Sequence, residues 1–242
     1  MGIKSLRTFA IAGIAAGLAL AIVPAASAAT PHANAVNHVS GHIKSAQQST
    51  NWSGYAKTGT FTTATATWNV PTVTTSSSNK YSSDWVGIDG YNNSNLIQTG
   101  TEQDTVGGRA SYGAWWEILP ASETRINMTI HPGDSMTGTI TKGSGSSWTM
   151  KLTDNTSGAT FSTSKSYSGP ADSVEYIQEA TEVGGTISSP PSLSKTTFSG
   201  LTANGANPNL TSSGEILLVQ NGTTYYTPSA VSGGNSFSVS SR

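Results

Sequence analysis

The sequence predicts an all-β fold, an antiparallel β-sandwich, on three observations. Apolar residues recur at every second position, turn-forming residues punctuate the chain at short intervals, and no stretch beyond the first two dozen residues carries a helical apolar stripe. In an extended strand successive side chains leave on opposite faces, so a period of two marks a surface buried on one side only. Many short strands of this kind must bring their apolar faces together, and two stacked sheets do so.

The first clear run places Ala64, Ala66, Trp68 and Val70 on one face, with Thr63, Thr65, Thr67 and Asn69 on the other. The same period at Ile126, Met128 and Ile130 predicts a strand through residue 130, and it returns at Trp148, Met150 and Leu152. Pro132-Gly133-Asp134 and Asp154-Asn155-Thr156-Ser157-Gly158 read as turns. Asn221-Gly222, between Leu217–Val219 and Tyr225–Tyr226, predicts a two-residue hairpin, because both residue types accept positive φ. The Ser/Thr/Gly-rich pieces at 74–79 and 143–147 are loop-sized and no repeat is evident, so one domain is expected over residues 49–242.

Ahead of that domain, Lys4 and Arg7 precede an apolar run from Phe9 to Val23 and the small-residue site Ala26-Ser27-Ala28. This predicts an export signal over residues 1–28 and a secreted mature protein, since the run is too short to span a membrane well. Residues 29–48, with His32, His38 and His42 and no period, read as a short propeptide or flexible N-terminal arm. The chain lacks cysteine, so a hydrophobic core must stabilise it without disulfides. All 13 acidic residues lie beyond Asn51, whereas Lys4, Arg7 and Lys44 precede it, which leaves the later part at a formal −4. Nucleic acid and an anionic membrane are therefore not expected partners, and a monomer is the expected state.

The catalytic options narrow by elimination. There is no thiol nucleophile, and the sole histidine beyond His42 is His131, beside a turn, a poor foundation for a triad. So few histidines argue against a transition-metal centre, and neither EF-hand spacing nor a glycine-rich phosphate loop occurs, so neither metal nor cofactor is expected. Carboxylates remain. Glu175, Ile177 and Glu179 share one face of a strand and Val174, Tyr176 and Gln178 the other; with the second set in the core, Glu179 opens towards a substrate. Leu96 and Gln98 likewise share a face, opposite Ile97 and Thr99. Periodicity alone favours reading these as solvated strand polars. Trp115 and Trp116 are adjacent, so one faces the core and the other the open side.

Three segments add a resemblance: Trp85-Val86-Gly87-Ile88-Asp89-Gly90, Leu96-Ile97-Gln98-Thr99-Gly100 and Val174-Glu175-Tyr176-Ile177-Gln178-Glu179. In order and spacing they are similar to the signature blocks of the glutamic peptidases, the eqolisins. Asn51-Trp52-Ser53-Gly54, Ala66-Thr67-Trp68-Asn69-Val70-Pro71, Ala114-Trp115-Trp116-Glu117-Ile118-Leu119-Pro120 and Ile130-His131-Pro132-Gly133-Asp134-Ser135 extend the likeness over nearly the whole mature chain. The resemblance implies a concanavalin A/lectin-like sandwich, polypeptide substrates, acid-acting endopeptidase activity and a catalytic dyad of Gln98 and Glu179. It further implies that Trp85, Asp89, Glu102, Trp115 and Glu117 line or support the cleft. Glu102 stands where the family has aspartate, Leu119 replaces an aromatic residue, and Gln178 replaces an apolar one. The missing cysteines depart from the disulfide-bearing fungal members and point to a bacterial-type relative. Secretion, tryptophans and paired carboxylates also fit a carbohydrate-binding sandwich, or a glycosidase using Glu117 and Glu179.

Overall fold

In a computed structural model, the structure describes Met1 and residues 36–41, 43–45 and 48–242. The rest of the expected export signal, and residues 29–35 of the arm, lie outside the described residues. The strands are β1 (Val36–Asn37), β2 (Ile43–Ser45), β3 (Gln48–Ser49), β4 (Trp52–Thr58), β5 (Thr63–Asn69), β6 (Val73–Thr74) and β7 (Ser83–Ile88). There follow β8 (Ile97–Val106), β9 (Arg109–Ile118), β10 (Thr124–Ile126), β11 (Ser135–Lys142), β12 (Ser147–Asp154), β13 (Thr160–Ser166) and β14 (Ser173–Glu179). The last are β15 (Glu182–Val183), β16 (Thr186–Ile187), β17 (Ser192–Leu193), β18 (Thr196–Ala203), β19 (Glu215–Gln220), β20 (Thr223–Pro228) and β21 (Phe237–Ser241). The described residues contain no α-helix, only a 3-10 turn at Ser212–Gly214.

Two antiparallel sheets form the expected sandwich. The front sheet runs β10-β9-β8-β7-β14-β4 and the back sheet β20-β21-β18-β5-β11-β12-β13. Strand β19 joins them, pairing with β4 at Glu215 and Ile216 and with β20 from Leu218 to Gln220. Residues alternate as the sequence indicated. In β5, Ala64, Ala66 and Trp68 are buried, while Thr65 and Thr67 look outwards and hydrogen-bond Thr139 and Thr137 across the strand pair. Between the sheets, Val86, Ile88, Ile97, Val174 and Tyr176 meet Trp68, Met136, Ile140, Met150 and Phe198. Each such fully buried side chain contributes on the order of 1.5–3 kcal/mol from its removal from water.

The hairpin at Asn221-Gly222 forms with φ of 51° and 75°, the left-handed pair that matches the twist of its strands. The expected strand through residue 130 stops at Ile126. There Met128 N–H donates to Ile126 O at 2.8 Å, a tight turn that lifts the chain off the sheet edge, although Ile130 is still buried.

The front sheet has a second apolar face. Trp52, Ala56, Trp85, Leu96, Trp115, Ile177 and Ile216 cluster on it, opposite the main core. Strand β14 is therefore buried along its whole length, with Val174 and Tyr176 in the main core and Ile177 on the other side. Gly100 makes the aromatic cluster possible: it pairs with both Trp85 and Trp115, and a Cβ there would lie 2.3 Å from Asp84 O and 2.6 Å from Trp85 Cβ. Backbone cannot yield as a side-chain tip can. Gly100→Ala is expected to lower the unfolding free energy by about 1–3 kcal/mol in urea titrations; an unchanged midpoint would contradict this packing.

Candidate active site

Strand register assembles the site. β7 lies between β8 and β14, with Gly87 opposite Gln98 and Ser83 opposite Glu179, while Glu117 on β9 pairs with Gln98 from the other side. Two-residue alternation then sends Ser83, Trp85, Gln98, Glu102, Trp115, Glu117 and Glu179 to the same face. Six of the seven side chains proposed from the sequence thus converge. The seventh, Asp89, binds elsewhere: its carboxylate accepts from Ala171 and Asp172 N–H at 2.9 Å, Asn93 Nδ2 at 3.1 Å and Tyr167 O–H at 2.5 Å. It fastens the loop after β7, at φ 72°, so it supports the sheet rather than lining the cleft.

The two dyad candidates are each held by a neighbour. Gln98 Nε2 donates to Glu117 Oε2 at 2.8 Å, and its Oε1 is buried with no partner among the described residues. Glu179 Oε2 accepts from Trp85 Nε1 at 2.8 Å, and Oε1 from Asn51 Nδ2 at 3.4 Å. Trp115 belongs to the cleft cluster and Trp116 packs against the main core, as their adjacency requires. Gln178 points to the core side, where its amide donates to Thr196 Oγ1 at 2.8 Å beside buried Asp84, which accounts for a polar residue in that position.

The expectation that Glu179 opens to solvent needs correction. It lies on the anticipated face, yet it is 0% exposed, because residues 36–41 are laid across it. His38, itself 0% exposed, stacks on Trp115 with ring centroids 3.6 Å apart and planes 8° from parallel. Its Nδ1 lies 3.2 Å from Glu179 Oε2 and from Ser83 Oγ, and its Nε2 3.0 Å from Glu123 Oε2. His38 N–H donates to Glu117, and Gln98 Nε2 reaches His38 O at 3.4 Å. The arm that sequence analysis left without a pattern is thus, at these residues, an occupant of the cleft.

Glu102 pairs with Arg125, which also donates to Glu123 from Nε at 2.9 Å. Gly113 opens the space for that guanidinium, since a Cβ there would collide with it. His38, Glu102 and Glu123 together offer ligand atoms within 4.8 Å of one another, a donor set that could hold a cation, but Arg125 already bridges the two carboxylates. Sequence reasoning passed over Asn51, Ser83, Glu123, Arg125 and His38 as site residues. Asn51 had a usable signal in the Asn51-Trp52-Ser53-Gly54 block; Glu123 just precedes the three-residue edge strand β10 and Arg125 lies within it, and neither had one.

Burial dominates the electrostatics. It raises Glu117 to about 8, a rise opposed by the His38 charge and reinforced by that of Glu179. Burial likewise raises Glu179, against hydrogen bonds from His38, Trp85 and Asn51. Burial alone would depress His38, but its bonds to Glu123 and Glu179, with the charges of Glu179 and Glu117, hold it well above its ordinary value. Glu123 moves the other way: burial would raise it, and the His38 hydrogen bond and charge bring it down. Asp84 and Glu175 are driven up by burial, which at Glu175 outweighs the opposing effect of Ser173 beside it.

Comparisons with known proteins agree on one family. Residues 50–241 match the Peptidase A4 family. Among solved structures, scytalido-glutamic peptidase with a transition state analog inhibitor is similar at 29% identity and a TM-score of 0.68, over 80% of this chain and 98% of that one. SCP-B, described as a member of the eqolisin family in complex with the tripeptide Ala-Ile-His, aligns at 25% identity and 0.61 over 80% and 98%. Aspergilloglutamic peptidase from Aspergillus niger aligns at 28% identity and 0.59 over 67% and 99%. No curated protein sequence matches. These relatives are peptidases, which sets aside the carbohydrate-binding and glycosidase alternatives.

The raised carboxyls have a consequence for stability. A carboxyl whose folded pKa exceeds its unfolded value contributes fully below the unfolded value, near pH 4, and loses that contribution as pH rises through the folded one. Asp84, Glu117, Glu175 and Glu179 all act in this sense, and raised His38 acts in the same direction, while lowered Glu123 opposes them in acid. The urea midpoint is therefore expected to fall between about pH 4 and pH 8. Glu175→Gln, which removes a fully buried carboxyl at nearly constant volume, should flatten that fall; an equally steep fall in the variant would refute the assignment.

Proposed function

We propose, from the premise that this chain belongs to the Peptidase A4 family and is a glutamic endopeptidase, that it cleaves polypeptides in acid, after secretion, with Gln98 and Glu179 as its catalytic residues. One observation carries the residue assignment. A backbone carbonyl, that of His38, lies against the Gln98 amide while the Glu179 carboxyl touches the same residue. A peptide carbonyl in that position meets the Gln98 donor, and the side chain next to it meets the Glu179 carboxyl through the imidazole Nδ1.

The division of labour follows from what each group can do. Glu179, as carboxylate, takes a proton from water attacking the carbonyl carbon and, as carboxylic acid, delivers it to the departing nitrogen. Oε2 is occupied by Trp85, which leaves Oε1, with its long contact to Asn51, for the water. Gln98 cannot titrate. One of its amide hydrogens is committed to Glu117, which fixes the amide's orientation and turns the other towards the oxygen that gains charge. A donor of this kind contributes about 3 kcal/mol in other hydrolases.

Acid action rests on the likeness of the signature blocks to those of the eqolisins. Glu117 at about 8 keeps its proton through the acid and neutral range, so Glu179 need not ionise beside a second negative charge. One carboxyl performing both proton transfers works best where it is partly ionised. The short peptide held by SCP-B supports an extended chain as the cleft's natural occupant. Secretion rests on the signal-like residues 1–28.

Digestion of denatured protein across a pH series tests the assignment. Glu179→Gln should keep the melting temperature and reduce cleavage to background. Gln98→Ala should lower kcat by about 100- to 1,000-fold, and Glu182→Gln should change little. Substantial cleavage by folded Glu179→Gln would overturn the role given to that residue.

A further inference from the structure

The side-chain amide of Asn51 lies between Glu179 and the main chain laid in the cleft, and Ser49 fixes its orientation. Ser49, 1% exposed at the end of β3, accepts the N–H groups of Asn51 at 3.2 Å and Trp52 at 3.1 Å on its hydroxyl oxygen. Both lone pairs are thereby used, and its single hydrogen goes to Asn51 Oδ1 at 2.8 Å. With Oδ1 committed to that donor, Nδ2 faces the other way, towards Glu179 Oε1 at 3.4 Å, Val39 O at 3.2 Å and Ser40 O at 3.4 Å. The main chain sets the amide relative to the dyad, since Asn51 O accepts from the N–H of Ala180, next to Glu179, at 2.7 Å.

The main chain of residues 36–41 stands in for that of a peptide substrate. One carbonyl, that of His38, lies at the Gln98 amide, and the next one, that of Val39, accepts from both Asn51 Nδ2 and Trp52 Nε1, the latter at 3.1 Å. In a substrate lying in the same register, that second carbonyl belongs to the first residue of the departing fragment. An amide NH2 group has two hydrogens, enough for Glu179 and for one peptide carbonyl. A single side chain thus meets the proton carrier and the leaving side of the substrate together.

We propose that Asn51 is a third catalytic residue, gripping the first carbonyl of the departing fragment while holding the Glu179 carboxyl beside it, and that Ser49 is the positioning residue that aims it. This rests on the dyad reading above. The bonds made and broken are unchanged: the water oxygen joins the carbonyl carbon, the C–N bond breaks, and Glu179 carries the water proton to the departing nitrogen. Asn51 only donates hydrogen bonds. A donor to a carboxylate favours the ionised form, so loss of Asn51 raises Glu179 further and moves the acid limb of the kcat/KM profile to higher pH. His38 and Glu117 also face Glu179, and they are the same in every protein compared.

The test measures kcat/KM against pH, with melting temperatures, on the full chain as parent, Asn51→Ala, Ser49→Ala and the double variant. Two substrates are used: a peptide, and its analogue with a trans-alkene in place of the amide that follows the scissile bond, which keeps the shape and lacks the gripped carbonyl. Asn51→Ala should lower kcat/KM on the peptide by about tenfold or more and shift the acid limb upwards. Ser49→Ala should do the same to a smaller extent, and the double variant should be no worse than Asn51→Ala, because the two act as one unit. On the alkene analogue the gap between parent and Asn51→Ala should narrow. If Asn51→Ala melts below the assay temperature, Asn51→Asp, of the same shape and assayed where the new carboxylate is ionised, takes its place. An equal loss on both substrates, an unmoved acid limb, or additive losses at Ser49 and Asn51 each overturn the proposal and leave the dyad standing. Glu179→Gln cleaving as well as the parent, or a folded parent cleaving neither substrate, sinks the dyad and this proposal with it.

Discussion

A carboxyl group taken out of water must either find hydrogen-bond donors or keep its proton, and the cleft face of the front sheet is organised around that requirement at Glu179. Trp85 and Asn51 supply donors, and Glu117 beside it stays protonated, since burial raises it to about 8. Removing a donor would leave a buried acid with fewer partners, whereas removing the burial would take away the cause of the upward shift of Glu179. The aromatic cluster of Trp52, Trp85 and Trp115 thus shapes the electrostatics as well as the packing. It provides the low-dielectric surroundings, and Gly100 provides the room for it.

A sheet with two buried faces is unusual for an antiparallel sandwich, where one face is ordinarily solvated. Here the main core covers one side, and the tryptophan cluster with residues 36–41 covers the other. The charges on the second side are matched locally: Arg125 between Glu102 and Glu123, and His38 between Glu123 and Glu179. His38 also stacks on Trp115, so the imidazole, the aromatic cluster and the acids share one buried site.

Much of this protein was readable along the chain. Two-residue alternation in β5 and β12, the turn at Asp154–Gly158 and the Asn221-Gly222 hairpin depend on neighbours in sequence, and they appear where they were expected. So do the facing directions of Gln98 and Glu179, since strand parity is a local property. The strand ending at Ile126 was misjudged because a backbone turn at Met128 competes with the apolar period there, and sheet-edge geometry rather than pattern decides the outcome.

What local sequence could not supply was the meeting of distant segments. Gln98 and Glu179 stand on separate strands with β7 between them, and Glu123 and Arg125 reach the site from the short edge strand β10 and the residue before it. His38 lies 141 residues from Glu179 in a stretch without period, and only the folded chain brings its ring onto Trp115 and its carbonyl to Gln98. Periodicity reports which face a residue takes on its own strand. Which strands become neighbours, and what covers their faces, follows from long-range packing of apolar area, which is non-directional and leaves no repeat in the sequence.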